Sequence, residues 1–345
     1  MKIIIIDTIN NIPSHKQFQD LAVELKSKGF KILHLTDSKR EDYFGVEVIY
    51  YNKQASLFNK LKFFYQIFDD FRPNLVISTF RANILVDFIS YSLNFKWIAT
   101  YQSAYYEKKL INKFRYRYLD KMIVLSTVME KEIIEIFPHL TNKIKVIPNS
   151  FIFSDIKISS KKDIILHVGN SQKNSSLKYV KGTDVLVSSF NLLKKSGLSV
   201  ELWIIGDYDE KFIKNNMCQG VKFLGKKSHE DVLNLMSCSK ILAQPSRNEA
   251  FGQVFIEAMQ NACSLIGTYN TGAVDIIEVG KYGYLIPQDD SINLATALHD
   301  AFQNYNSPEG CLNEYKSKME VFSRKRWVNN INNIIEKQMI VKKNL

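Results

Sequence analysis

Four cysteines stand in 345 residues, and Cys218, Cys238, Cys263 and Cys311 have neither paired nor metal-ligand spacing. That argues against a disulfide framework and a cysteine zinc site, and it fits a reducing compartment. Long apolar runs are also missing: none approaches the roughly 20 residues that span a bilayer. The opening MKIIIIDTI is too short, and broken too soon by Asp7, to be a signal peptide, so it reads as a buried strand. There is no Gly-x-Gly-x-x-Gly, no Gly-Lys-Ser/Thr and no Gly-x-Ser-x-Gly. A dinucleotide fingerprint, a Walker loop and a hydrolase elbow are thereby set aside. Internal repeats and low-complexity segments are absent as well.

What is present is a globular composition, 46% hydrophobic and 23% charged, on a chain long enough for two domains. The net charge is +11, which favours an anionic partner or surface. The excess is uneven: residues 1–150 hold 22 Lys+Arg against 15 Asp+Glu, the remainder 24 against 20.

Short apolar runs alternate with amphipathic ones almost throughout. In the first half the strand candidates are 2–7, 31–35, 46–50, 74–78, 96–101, 121–126 and 143–147. Leu57, Leu61, Phe64 and Phe68 are spaced for one helix face. Pro148, Asn149 and Ser150 and a lysine-rich stretch to Lys162 interrupt the pattern, which marks a domain boundary. Strands at 163–169, 200–206, 221–225, 240–244, 264–268 and 284–287 follow, with helices between them. Near-continuous apolar strands alternating with helices predict parallel sheets covered on both faces. Ligands of such sheets bind at the carboxyl ends of the strands, so two facing domains would form a cleft.

The segment QPSRNEAFGQVFIEAMQNA carries two carboxylates, Glu249 and Glu257, around a Phe-Gly break. On a single helix they would lie about 80° apart. They converge if Glu249 precedes the helix and Glu257 lies inside it. Two hydroxyl-accepting carboxylates beside a helix N-terminus, which favours phosphate, suggest a nucleotide-sugar pocket. The bland alternative is an amphipathic helix with surface acids. In HVGNSQKNSSLKYVKGTDVL, Gly169, a polar loop and Lys181-Gly182 before a helix resemble a phosphate-binding turn, with a solvated lysine as the alternative. Asp207-Tyr208-Asp209 could hold a metal against a diphosphate, but turn formation and capping account for it as well. His15, His34, His139, His229 and His299 are scattered without ligand spacing, and His167 falls in an apolar strand as a core residue. In 105–122, helical spacing would align Leu110, Phe114 and Tyr118 among Lys108, Lys109, Lys113, Arg115, Arg117 and Lys121. Such a basic-aromatic face suits an anionic membrane surface or merely covers a sheet; no nucleic-acid motif accompanies it.

Over about 163–287 the chain resembles the retaining GT-B glycosyltransferases of the large sugar-nucleotide family, the glycosyl transferases group 1. The motifs are Pro245-Ser246, Glu249, Phe251-Gly252, Glu257-Ala258-Met259, Lys181-Gly182, Phe223-Leu224-Gly225 and Thr271-Gly272-Ala273-Val274-Asp275, with KVIPNS resembling the interdomain Pro-Asn-Gly. The resemblance implies an α/β fold of two Rossmann-like doubly wound domains facing across a cleft. The division is 1–155 on the acceptor side and 156–324 for the nucleotide sugar, with a C-terminal helix of about 325–345 packing back on the first. It implies that Glu257 holds the ribose and Glu249 the donor sugar. The amides of Ala250, Phe251 and Gly252 face sugar or diphosphate. Lys181, with Gly169 and Asn170, meets the diphosphate, and Gly225 and Lys226 touch the base.

The departures from the pattern are Asn170 where the family has Arg, which Lys173 or Lys178 would replace, Gln102 where it has a catalytic-site His, and Ala262-Cys263-Ser264 where it has Gly-x-Pro. The glycine-rich turn that opens the first domain is also missing from DTINNIPSH. The expected activity is metal-independent, cofactor-free transfer, with retention, of a hexosyl or N-acetylhexosaminyl group from a UDP- or GDP-sugar. The acceptor would be a glycan or polyprenyl-diphosphate-linked glycan of capsule, O-antigen or lipopolysaccharide. Glu249, Lys181 and Gln102 would do the chemistry, and Lys108, Lys109, Lys113, Arg115 and Arg117 would touch membrane or acceptor at the inner face of the cell membrane. The competing expectations are a non-catalytic sugar-nucleotide-binding subunit and a GT-B epimerase.

Overall fold

The computed structural model describes residues 1–7, 16–37, 42–79, 82–101, 115–153, 158–169 and 180–340. The chain divides into two compact units, Met1–Phe151 with Phe322–Leu345, and Ile152–Val321.

The first unit is built on β1 (Lys2–Asp7), α1 (Lys16–Ser27), β2 (Lys31–Thr36), β3 (Glu47–Tyr50), α2 (Leu57–Phe71), β4 (Leu75–Thr79), α3 (Ala82–Ser90), β5 (Lys96–Tyr101), β6 (Lys121–Val124), α4 (Thr127–Ile136) and β7 (Ile144–Val146). Among the described residues its sheet runs β3-β2-β1-β4-β5-β6-β7, and every pairing is parallel. Ile4 sits between Leu33 and Val76. Four consecutive isoleucines, Ile3 to Ile6, are fully buried, as a strand covered on both faces requires. Phe18 and Leu21 of α1 join Trp327, Val328 and Ile331 of the last helix, Arg324–Ile340, in one core. The Phe18 and Trp327 rings meet edge to face at 5.3 Å, and Asn332 Nδ2 donates to Glu24 Oε1 at 2.8 Å. The last helix therefore completes the core of the unit that the N-terminus begins.

On α2 only Phe64 and Phe68 are buried; Leu57, two turns earlier on the same face, is exposed, so the apolar stripe outruns the covered one. The helical spacing read over 105–122 fails at its C-terminal end. Residues 115–118 form a turn and β6 starts at Lys121; the earlier part of that segment lies outside the described residues. Tyr116 takes a left-handed φ of 61° and is buried, 5.7 Å from the Trp97 ring and 5.4 Å from that of Phe137. Its N–H donates to Asp87 Oδ1 at 2.9 Å. An aromatic anchored on both ring and backbone outweighs helical periodicity.

The second unit comprises β8 (Lys162–Val168), α5 (Thr183–Lys194), β9 (Glu201–Ile205), α6 (Glu210–Asn216), β10 (Val221–Gly225), α7 (His229–Cys238), β11 (Ser239–Ala243), α8 (Gln253–Gln260), β12 (Ser264–Thr268), β13 (Gly283–Ile286), α9 (Ser291–Gln303) and α10 (Pro308–Val321). Its sheet runs β10-β9-β8-β11-β12-β13, again parallel. Leu186, Phe190 and Leu298 cover one face and Phe255, Ile256 and Met259 are buried in α8. At the amino edge the Lys161 ammonium donates to the carbonyls of Met236, Ser239 and Asn261, at 2.9 Å and 2.7 Å for the first two. One cation thus ties the carbonyl ends of α7 and α8 to the start of β11.

Truncating Trp327 to Ala should lower the unfolding free energy by about 3–5 kcal/mol. Urea titration followed by circular dichroism measures this; a loss below about 1 kcal/mol would show that the last helix does not belong to this core.

Candidate active site

The strand order of the second unit runs outward from β8 to β10 and then restarts on the other side at β11. The reversal lies between β8 and β11, and ligands of open parallel sheets bind at the carboxyl end of such a switch point. The segments leaving those two strands hold Lys181 and Glu249.

Three contacts stitch the segments together. Gly182 has φ 70°, and its Cα packs on the Pro245 carbonyl so closely that any Cβ would overlap it. Arg247 N–H donates to the Val180 carbonyl at 2.7 Å. The Arg247 guanidinium grips Asp184 in the first turn of α5 through two parallel bonds, 2.9 and 2.8 Å, and reaches Asp289 at 2.7 Å. Planar, bidentate pairs of this kind fix orientation as well as distance. Gly169, at the end of β8, leaves room for Lys181, whose Cβ lies 2.9 Å from where a side chain at Gly169 would begin. So held, the Lys181 ammonium forms an ion pair with Glu249 Oε2.

A hydrogen-bonded chain supports the start of α5 from beneath. His167 is fully buried, with Nδ1 at 2.9 Å from the Ala243 carbonyl and Nε2 at 2.9 Å from Thr183 Oγ1. Because the carbonyl only accepts, Nδ1 carries the proton and Nε2 accepts from Thr183. Thr183 Oγ1 in turn accepts from Tyr208 OH at 2.9 Å. Burial pushes the imidazole down to about pKa 4, and the tyrosine up to about 12.

Gly252 caps α8 with φ 92°, Phe251 is buried before it, and the Gly272 N–H donates to the Glu249 carbonyl at 2.7 Å. The first turn of α8 brings N–H groups that have no acceptor within the helix next to Ala250 and Glu249. Glu257 lies inside α8 and is 8% exposed. Burial raises its pKa, and a hydrogen bond from His229 Nε2 to Oε1 at 3.1 Å opposes the rise. Gly225 ends β10, and the exposed Lys226 ammonium lies 3.5 Å from Asp207. Asp209 caps α6 by accepting from Phe212 N–H at 2.8 Å, while Asp207 pairs with Lys226.

The fold thus brings Gly169, Lys181, Glu249, Ala250, Phe251 and Gly252 to one edge. Gln102, Lys108, Lys109, Lys113, Asn170, Lys173 and Lys178 lie outside the described residues. Arg115 is engaged within the first unit, its Nε 3.7 Å from Asp87 Oδ2 and its guanidinium 4.8 Å from the Tyr116 ring centre. Arg117 is exposed over Tyr118. Sequence reasoning missed Arg247, Asp184 and Thr183. It also left His229 and His34 without partners, whereas His34 Nε2 lies 3.3 Å from Asp7. The acid in the first turn after Lys181-Gly182 and the arginine after Pro245-Ser246 were the available signals. Two cavities lie elsewhere and hold none of the residues of this edge. A polar one of about 370 Å³ with Tyr282, Tyr305 and Tyr315 sits at the amino edge of β12 and β13. An apolar one of about 620 Å³ lies between α2 and α3.

Two parallel doubly wound sheets define a GT-B fold, and known proteins share it. A lipopolysaccharide outer core galactosyltransferase, WaaB, superposes with a TM-score of 0.76 at 16% identity, covering 98% of this chain and all of that one. Anabaena HepE in complex with UDP-glucose superposes at 0.73 with 17% identity, covering 98% and 100%. Residues 149–318 match the family model "Glycosyl transferases group 1". A probable sucrose-phosphate synthase of Thermosipho melanesiensis is 29% identical over 246 residues, 64% of this chain and 55% of that protein. The matches span about half, or less, of the length of the curated relatives. The second half of the chain, residues 149–318, thus belongs to the group 1 glycosyltransferase family.

The neutral, buried His167 links stability to pH. Its folded pKa near 4 lies below the ordinary 6.5, so the unfolded chain binds the extra proton first and stability falls as pH drops from 6.5 to 4. Integrated, this is about 3 kcal/mol. Urea titrations at several pH values should give a shallower fall for His167→Gln than for the parent; parallel curves would contradict it.

Proposed function

We propose that the chain transfers a sugar, with retention and without a metal, from a nucleoside diphosphate sugar held at the carboxyl edge of the second unit. The observation that carries this is Lys181, fixed beside Glu249 and the start of α8 at the switch point. Without ligand the lysine neutralises Glu249. A diphosphate takes over the ammonium together with the α8 N–H groups, and the released Glu249 carboxylate accepts hydroxyls of the donor sugar. Glu257 accepts from the ribose, while Gly225 and Lys226 line the base.

In the transfer step the bond from the anomeric carbon to the diphosphate oxygen breaks, and its electron pair leaves with the phosphate. The acceptor oxygen bonds to the same face of that carbon, and its proton passes to the departing phosphate oxygen. Glu249 orients the sugar and forms no covalent bond. Fixed cations and N–H dipoles stabilise the charge that grows on the leaving group, and one such donor is worth about 3–4 kcal/mol.

UDP is the first donor base to test, since HepE, of the same fold, is described in complex with UDP-glucose. For the acceptor, the positive first 150 residues favour a phosphate-bearing, lipid-linked glycan of a bacterial surface polysaccharide, a setting shared with the lipopolysaccharide galactosyltransferase WaaB. Lys108, Lys109, Lys113 and Arg117 would meet the anionic surface; Arg115, engaged by Asp87, would not. Glutamate at those four positions should reduce co-sedimentation with phosphatidylglycerol vesicles at least several-fold. Unchanged binding would refute that contact.

Lys181→Ala should fold and lose on the order of a hundred- to thousandfold in kcat. Sugar-nucleotide turnover in the purified protein measures this. Full activity in the variant would end the diphosphate assignment, and a parent that binds UDP-glucose but neither transfers nor hydrolyses the sugar would favour a non-catalytic binding subunit.

A further inference from the structure

His229 is the first residue of α7, directly after the turn that closes β10 at the carboxyl edge. A capping box fixes that turn: Ser228 Oγ accepts from Asp231 N–H at 3.1 Å, and Ser228 N–H donates to Asp231 Oδ2 at 3.3 Å. The histidine side chain is 56% exposed, so it has no core to serve. Its ring nevertheless reaches across to α8, where Nε2 lies 3.1 Å from Glu257 Oε1. Glu257 is the most deeply buried acid of this edge, and among the described residues its side chain has no other hydrogen-bond partner. One oxygen is therefore tied down and the other left for a ligand.

We infer that His229 is a positioning residue that holds the Glu257 carboxylate for a vicinal pair of ribose hydroxyls, so that the site selects ribonucleotides over deoxyribonucleotides. The inference rests on the donor-site reading above. A carboxylate swinging between rotamers offers a hydroxyl pair two poorly placed acceptors; one pinned at Oε1 offers a fixed edge. The Nε2–H donor exists in both the neutral tautomer and the imidazolium, so the pin does not require a charged ring. Glutamine can present an N–H from nearly the same place, which separates the bond from mere bulk.

Isothermal titration with UDP and with its 2′-deoxy counterpart, run in parallel with GDP and deoxy-GDP, tests this on the full chain. The parent should prefer the ribonucleotide roughly tenfold. His229→Ala should weaken the ribonucleotide by about that factor and the deoxynucleotide far less, closing the gap, and His229→Gln should reopen part of it. Thermal unfolding should be unchanged in His229→Gln, which keeps a donor for Glu257, and slightly lower in His229→Ala, which leaves the buried carboxylate without its partner. Equal weakening of both nucleotides, or a preference that survives His229→Ala but disappears in Glu257→Gln, would overturn the role of His229 while leaving the donor site standing. A parent that binds none of the four nucleotides would instead remove the donor site and this inference with it.

Discussion

The grip of Arg247 on Asp184 joins the segment that leaves β8 to the one that leaves β11, and the remaining geometry of the second unit's edge depends on it. With Gly182 seated on the Pro245 carbonyl, the two segments have one relative position. Lys181 and Glu249 then face each other without either being held by core packing. The His167–Thr183–Tyr208 chain adds a second constraint from below, because its proton order is dictated by a carbonyl that can only accept. Lys181, to which the proposal gives the diphosphate, is thus placed by groups that have no part in that role. This is how a site is preorganised on a rigid support.

The electrostatics of the edge follow from what is buried and what is not. Glu249 and Lys181 are both partly exposed, so they can exchange partners when an anion arrives at modest desolvation cost. Glu257 is different: it sits inside α8, where burial raises its pKa, and only the His229 bond opposes the rise. The two carboxylates have different environments, one in a partly exposed ion pair and one buried and bonded to a histidine.

The architecture could be read from the chain because its strands are near-continuous apolar runs, and a parallel sheet buried on both faces leaves that record. KIIIID, DIILHVG and SLIGT are β1, β8 and β12 almost to the residue. That Glu249 precedes α8 and Glu257 lies inside it could also be read, because a Phe-Gly break between a strand end and an apolar run marks a helix start. The clamp was not legible: Arg247 and Asp184 stand 63 positions apart, and only the fold makes them neighbours. Nor was the His229 contact, since its partner lies 28 positions away on another helix. The helix read through 115–122 failed for a physical reason. Periodicity counts apolar positions but does not see that Tyr116 is anchored against Trp97 and Asp87 in a left-handed turn.

The account stands on the switch point of the second unit being the donor site. A crystal structure of the chain soaked with UDP-glucose tests this most directly. The diphosphate should lie against Lys181 and the first turn of α8, with the Lys181–Glu249 ion pair opened and Glu249 turned to the sugar. A diphosphate bound at the opposite edge of the sheet, beside Tyr282 and Tyr305, with that ion pair intact, would contradict it.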